Sequence, residues 1–357
     1  MTSPVELGLI EGFYGPPWSA EGRRQAVRTL APAGYGFYLY APKADDRLRR
    51  RWREPHPEVE AAELAAFAAD CRAAGVRFGV GLSPFELWLA FDEDAKRALA
   101  DKLRQLDEMD VEDLAVLFDD MRGDLPDLAE RQAEIVDFIA GRTRADRLIV
   151  CPSYYSDDPV LDRVFGARSP GYLETLGRRL DPAVQVFWTG DEVCARSITP
   201  GSLERVTEQL RRPPMLWDNY PVNDGPRMSK HLHLRAFTGR PASLPGAVSA
   251  HGINVALQPT LSLIPALTLA ESYRLGDRYA YGPAFLEAAT RVLGEDLAGR
   301  LQADLLSLDD AGLDRLDEGR RSRLRARYAA FDHPGAAEIV GWLDGAYAIT
   351  PEEMATS

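Results

Sequence analysis

Chemistry is concentrated at Asp119-Asp120. These two adjacent carboxylates end an apolar, strand-like run, Asp113 to Phe118. Side chains on a regular strand alternate between faces, so neighbouring acids share a pocket only where the strand breaks into a loop. Two carboxylates held close do not readily both ionise. One is driven toward its protonated form and can act as an acid while the other stays anionic. Taken alone the pair reads as two solvated loop acids, and the rest of the chain reverses that reading.

Such a pair needs a scaffold that ends strands at one place. Eight short apolar runs recur: Leu7 to Ile10, Gly36 to Tyr40, Arg77 to Leu82, Leu114 to Phe118, Leu148 to Cys151, Val184 to Trp188, Met215 to Trp217 and Gly246 to Ser249. Stretches with helical periodicity lie between most of them: one capped by Ser19 and running towards Ala31, then Glu58 to Ala74, Glu93 to Met109, Leu128 to Ile139, Gly171 to Arg179 and Gly201 to Arg211. Leu64, Phe67, Ala68 and Cys71 mark the apolar face of the second. Alternating strands and helices imply a parallel sheet, and eight units in about 270 residues imply a closed (β/α)8 TIM barrel. The seventh unit, Asn223 to Pro245, is rich in Gly, Pro and basic residues and reads mostly as loop.

Barrel enzymes carry their chemistry where strands end at the C-terminal face. The polar and aromatic irregularities of this chain fall there: Glu11 to Trp18, Ala41 to Lys43, Asp119-Asp120, Cys151 to Tyr155, Trp188 to Gly190, Trp217 to Asp224, and Asn254. Aromatic faces and short polar groups around an acid pair suit a carbohydrate. Trp188 reads as plain core, Asp218 as structural, and Cys151 as a small lining residue, because nothing near it in sequence would activate a thiolate.

The net charge of −13 over 357 residues argues against nucleic acid or an anionic membrane as main partner. A basic run, Arg47 to Arg53, reads as a solvated loop or helix face. No secretory leader is read in Met1 to Pro4, and Leu7 to Ile10 is too brief for a membrane span. Three cysteines without metal-ligand spacing, Cys71, Cys151 and Cys194, fit free thiols in a reducing, cytoplasmic setting. His231 and His233 lack the further ligands of a metal site, so no metal or cofactor is expected.

Five motifs in order resemble the catalytic barrel of glycoside hydrolase family 84, the protein O-GlcNAcases and related bacterial β-N-acetylglucosaminidases. They are Glu11-Gly12-Phe13-Tyr14-Gly15 with Trp18, Tyr38-Leu39-Tyr40-Ala41-Pro42-Lys43, Phe118-Asp119-Asp120, Trp188-Thr189-Gly190, and Trp217-Asp218-Asn219 with Asn223-Asp224. The resemblance covers roughly Glu6 to Tyr273. It implies an exo-acting enzyme that removes terminal β-linked N-acetylglucosamine with retention, the substrate's own acetamido group serving as nucleophile. It also implies roles. Asp119 holds the acetamido N–H. Asp120 protonates the leaving oxygen and then activates water. Gly12 and Lys43 bind near the 3-hydroxyl, and Asp224 and Asn254 bind the outer hydroxyls. Asn219 and Tyr155 surround the acetamido group and the intermediate. Cys151, Thr189 and Trp217 line the acetyl-methyl pocket.

The chain departs from the family at Ser153-Tyr154, where a different pair is usual, and at Val255, where a proline often follows the eighth-strand asparagine. It begins at strand one, so a leading domain found in many relatives is expected to be missing. The implied substrate is an N-acetylglucosamine-bearing glycoconjugate or glycoprotein. A non-catalytic sugar-binding barrel is the alternative, and a metal-dependent barrel hydrolase is a distant third.

The chain divides into a barrel, 1–275, and a helical appendage, 276–357. In the appendage Phe285, Ala288, Ala289, Val292 and Leu293 form one apolar stripe, and Ile339, Trp342 and Leu343 another. The appendage reads as a bundle packed on the barrel's side, with a lid or a homodimer-forming stalk as the other reading. Pro351 to Ser357 are expected to fray.

Overall fold

The structure, a computed structural model, describes residues 5–356. Eight strands run in chain order: β1 Leu7–Glu11, β2 Tyr35–Tyr40, β3 Arg77–Leu82, β4 Asp113–Leu117, β5 Arg147–Cys151, β6 Gln185–Trp188, β7 Met215–Asp218 and β8 His251–Asn254. All pair in parallel with their sequence neighbours, and β8 closes on β1 through pairs such as Leu9 with Ile253. The result is the expected (β/α)8 barrel. The strands are buried along almost their whole length, because one face fills the barrel interior and the other meets helices.

The intervening helices are α1 Ala20–Leu30, α2 Glu58–Ala73, α3 Glu93–Glu108, α4 Leu128–Ala140, α5 Pro159–Phe165, α6 Tyr172–Arg179, α7 Pro200–Leu210 and α8 Pro259–Leu275. Ser19 caps α1 by accepting from the Gly22 N–H, and Asp92 caps α3 by accepting from Ala95. Leu64, Phe67, Ala68 and Cys71 are the buried face of α2. Between β7 and β8 there is no α-helix, only short 3-10 turns at Met228–Lys230 and Leu244–Ala247.

One strand lies elsewhere than its apolar pattern suggests. Gly246 to Ser249 is not the eighth strand: Gly246 and Ala247 belong to a 3-10 turn, and β8 begins at His251. A histidine disguised it. His251 is fully buried, with Nε2 3.0 Å from Asp218 Oδ2 and Nδ1 2.8 Å from the Tyr273 hydroxyl. Asp218 also takes both Nε and Nη2 of Arg240 at 2.7 Å. Asp218 is thus the anchor of a buried ionic cluster, which is the structural role its sequence context suggested.

Residues beyond the barrel form α9 Tyr281–Leu293, α10 Glu295–Leu305, α11 Glu318–Tyr328, α12 Pro334–Leu343 and α13 Pro351–Thr356. The last segment, expected to fray, is helical through Thr356. Ser357, and Met1 to Pro4 of the leader reading, lie outside the described residues. Glu338 on α12 accepts from the N–H groups of Thr260 and Leu261, satisfying buried donors at the start of α8 that have no partner within the helix. A π-type turn, Leu306–Ala311, presents Asp309 to the N–H groups of Leu234 and Arg235 in the β7–β8 connection. The Trp342 indole N–H donates to the Ser229 carbonyl of the same connection. The C-terminal helices therefore hold the long loop that leaves β7.

Candidate active site

The two carboxylates share a pocket because the chain turns sharply between them. After β4 ends, Phe118 is still buried in the core, and Asp120 adopts a left-handed backbone with φ +55. That conformation is uncommon for a residue with a Cβ but most tolerable for Asn and Asp. It breaks the strand alternation and turns Asp120 to the same side as Asp119. Ser153 steadies the break: its hydroxyl donates to the Phe118 carbonyl at 2.8 Å, and its N–H donates to the Tyr172 hydroxyl at 3.0 Å.

Lys43, delivered by the loop after β2, is buried between the acids. Its ammonium donates to Asp119 Oδ2 and lies 3.4 Å from Asp120 Oδ2. Burial pulls the lysine pKa down, but the facing carboxylates win and hold it above the ordinary value, so it stays a cation. The expectation that Asp120 is forced to keep a proton by its anionic neighbour is therefore corrected. Burial pushes the Asp120 carboxyl up. Lys43, Arg49 and hydrogen bonds from Tyr14 and Tyr155 outweigh it and leave its pKa below the usual carboxylate value. The Tyr14 hydroxyl donates to Asp120 Oδ2 at 2.9 Å and the Tyr155 hydroxyl to Oδ1 at 3.1 Å. Both oxygens of Asp120 are engaged. Oδ1 of Asp119, by contrast, is buried and has no hydrogen-bond partner among the described residues. A buried, unpaired carboxylate oxygen is costly, and a donor on a ligand would satisfy it.

The other expected residues line the same cavity of about 790 Å³. All eleven are there: Gly12, Lys43, Asp119, Asp120, Cys151, Tyr155, Thr189, Trp217, Asn219, Asp224 and Asn254. Gly12 is required for close approach: a Cβ there would lie 2.4 Å from Cζ2 of Trp217. Its N–H donates to Asn254 Oδ1 at 3.2 Å, and Asn254 Nδ2 donates to Asn219 Oδ1 at 3.1 Å. The same Asn219 oxygen takes the Trp217 indole N–H at 3.1 Å, which fixes the ring as one wall. Asp224 Oδ2 accepts from the Tyr14 N–H at 2.8 Å. Burial and the Asp120 charge push the Asp224 carboxyl up to about 6, against the opposing pull of that N–H. Burial, and then the Asp119 charge, keeps the Cys151 thiol well above its ordinary pKa. It is therefore protonated and unreactive, a small wall residue beside Thr189 and Trp217.

Some contributors were not singled out from sequence. Tyr14 lies inside a motif noted there, yet its hold on Asp120 depends on a contact across the barrel mouth. Arg49 is buried, 3% exposed, and its Nη2 lies 3.4 Å from the Asp120 carbonyl, so the basic run is not uniformly a solvated face. The missed signal was Leu48 and Trp52 in the same run, both buried. Val193 and Met354 also line the cavity. His231 and His233 are occupied with the Asp309 and Val222 carbonyls, at 2.7 and 2.8 Å.

A family model described as NAGidase, beta-N-acetylglucosaminidase, matches residues 7–305. The match runs past β8 and α8 to the end of α10. The Protein O-GlcNAcases of Mus musculus and Rattus norvegicus are each 32% identical over 247 residues, 66% of this chain and 26% of either relative. The chain thus spans about a quarter of the length of those relatives. Among solved structures, an aspartate-to-asparagine mutant of the Thermobaculum terrenum O-GlcNAc hydrolase superposes with a TM-score of 0.78 at 29% identity. That superposition covers 95% of this chain and 80% of the other. CpGH84B superposes with a TM-score of 0.76 at 22% identity, over 94% and 66% of the two chains, and bears on the fold alone. With five ordered motifs, a family match across all eight strands of the barrel and the acid pair at the C-terminal ends of its strands, the chain belongs to the β-N-acetylglucosaminidase family, glycoside hydrolase family 84.

Proposed function

We propose that the chain is a retaining exo-β-N-acetylglucosaminidase working by substrate assistance, on glycoconjugates or glycoproteins that carry terminal β-linked N-acetylglucosamine. One observation carries the reading: the buried, unpartnered Oδ1 of Asp119 beside a wall of Cys151, Thr189 and Trp217. A secondary amide with a small apolar tail fits such a corner, its N–H on the carboxylate and its methyl on the wall. Lys43 holds Asp119 in place through the other oxygen. The amide oxygen is then held near the anomeric carbon, so attack is intramolecular. As the oxazoline forms, its nitrogen gains positive charge that Asp119 stabilises.

Asp120 gives its proton to the leaving oxygen and afterwards takes one from water. A substrate covering the cavity deepens the burial that raises this carboxyl, opposing the hold of Lys43 and the two tyrosines. Asp224 and Asn254 take the outer hydroxyls, which closes the site to a chain continuing beyond the sugar. The scheme is the substrate-assisted exception to two-carboxylate retention. We take residues 1–275 as the catalytic barrel and the remainder as an appendage built against it. The reading places the enzyme in the cytoplasm, since all three cysteines are free thiols. Among the described residues no helix is long and apolar enough to cross a membrane. A sugar-binding barrel without turnover would have no use for an acid gripped by two tyrosine hydroxyls.

The test is a substrate series. Successive fluorination of the acetyl methyl lowers the nucleophilicity of the amide oxygen, and the rate is expected to fall steeply with each fluorine. Asp119→Asn slows all leaving groups alike, whereas Asp120→Asn spares activated aryl ones. A flat response to fluorination, or a covalent adduct on either aspartate, overturns substrate assistance.

A further inference from the structure

The cavity is large for one sugar ring, and part of its wall belongs to no sugar contact. Resting on the glycosidase reading, we infer that the C-terminal segment, in cis, completes a leaving-group wall around Met354 that selects aglycones with an apolar face. The direction in which a leaving group must depart follows from Asp120. The chain continues from that acid into Met121, and the Gly123 N–H donates to the Phe165 carbonyl at 2.8 Å, docking the end of α5 against the acid's loop. Val164 and Phe165 thereby enter the cavity lining, and Val164, 67% exposed, leaves its side chain open to a group bound there. Phe85, after β3, lies on the same side, beneath the guanidinium of Arg49 at 5.7 Å.

The C-terminal segment reaches this mouth by a defined route. Trp342 and the Ile349 N–H are both tied to Ser229, through its carbonyl and its hydroxyl. Ile349 packs on Gly15, where a Cβ would lie 2.6 Å from its Cδ1. Gly15 directly follows Tyr14, which grips Asp120. From there α13 places Met354 in the cavity lining. Methionine is unbranched and polarisable, and it suits a wall that must fit varied apolar groups.

The experiment compares methyl and benzyl β-N-acetylglucosaminides, whose leaving alcohols are close in acidity, so bond breaking demands the same of Asp120. Both kcat/KM and calorimetric binding are measured for the full chain, for Met354→Glu and for Val164→Asp. Benzyl is expected to be favoured by about tenfold. Each variant is expected to lose most of that preference while turnover of the methyl glycoside and inhibition by free N-acetylglucosamine stay within about twofold. Equal handling of the two glycosides by the unaltered chain overturns the wall. So does a loss in the variants that strikes both glycosides equally, or no loss at all. If neither glycoside is cleaved, the enzymatic reading fails, and the binding preference and its loss in the variants still decide the wall.

Discussion

Removing one hydroxyl, in Tyr14→Phe, should move the pH profile of the enzyme toward alkali. Asp120 is held below its ordinary pKa by Lys43 and Arg49 and, in part, by Tyr14, which donates to Oδ2 at 2.9 Å. Burial and the charge of Asp120 hold the Tyr14 phenol far above its own usual value, so it is a donor at every working pH. A hydrogen bond to a charged group contributes about 1.5–3 kcal/mol, which corresponds to roughly one to two pKa units. The bond favours the anion, so its loss raises the Asp120 pKa. The protonated acid then persists to higher pH, and the basic limb of kcat/KM, which reports the free enzyme, shifts up by about that amount. The limb is read as a displacement rather than as one residue's constant. The assay is kcat/KM against pH with a poorly activated glycoside, which needs the proton. An aryl glycoside with a good leaving group serves as the control whose basic limb moves less. An unmoved basic limb, or one displaced to lower pH, would refute the view that this hydroxyl sets the charge on Asp120.

Asp224→Ala should weaken binding of N-acetylglucosamine by about 2–3 kcal/mol, since a charged acceptor is lost and the Tyr14 N–H loses its partner. Titration calorimetry showing near-normal affinity would put the outer-hydroxyl clamp elsewhere. Gly12→Ala inserts a Cβ where Trp217 stands 2.4 Å away, so the indole must move, at a cost of about 1–3 kcal/mol. Thermal unfolding and inhibitor affinity should fall together, and an unchanged Tm would mean the ring has room to yield. Asp218 is pulled down to about 2, burial being outweighed by Arg240 and His251. Its folded pKa lies below the unfolded value, so its stabilising contribution is present above about pH 4 and is lost as pH falls toward 2. Asp218→Asn leaves Arg240 buried without its counter-ion and should cost about 3–5 kcal/mol at neutral pH in urea unfolding, with a flatter acid limb. A variant as stable as the parent would remove the cluster from the account of the fold.

Much of this enzyme is legible along the chain because its signals are local. Strand–loop–helix alternation shows through apolar periodicity. The end of each strand is marked by the residue types that follow it, and a barrel brings all strand ends to one mouth whatever their order in sequence. That rule is why eleven residues spread from Gly12 to Asn254 could be nominated together and are found around one cavity. Where a strand carries a buried histidine, as β8 does at His251, periodicity fails. The partners that let a polar group be buried, Asp218 and Tyr273, are far away in the chain.

What only the tertiary structure decided is charge and enclosure. Adjacent acids in a sequence suggest mutual repulsion and a shared proton. In the fold Lys43 and two tyrosine hydroxyls converge on them from other loops and reverse that balance. The sign of a pKa shift depends on every charge and donor within a few ångströms, and spacing along the chain is silent on those. Likewise a run of C-terminal helices states its own apolar faces but not its destination. That Ile349 packs on Gly15 and Met354 lines the cavity follows from the route of the chain through Ser229. The sequence by itself determined the barrel, the acid pair and the residue types at its mouth, because those rest on local pattern and on the geometry of strand ends. The protonation state of the acid and the far wall of the pocket rest on long-range contacts, and those exist only once the barrel has closed.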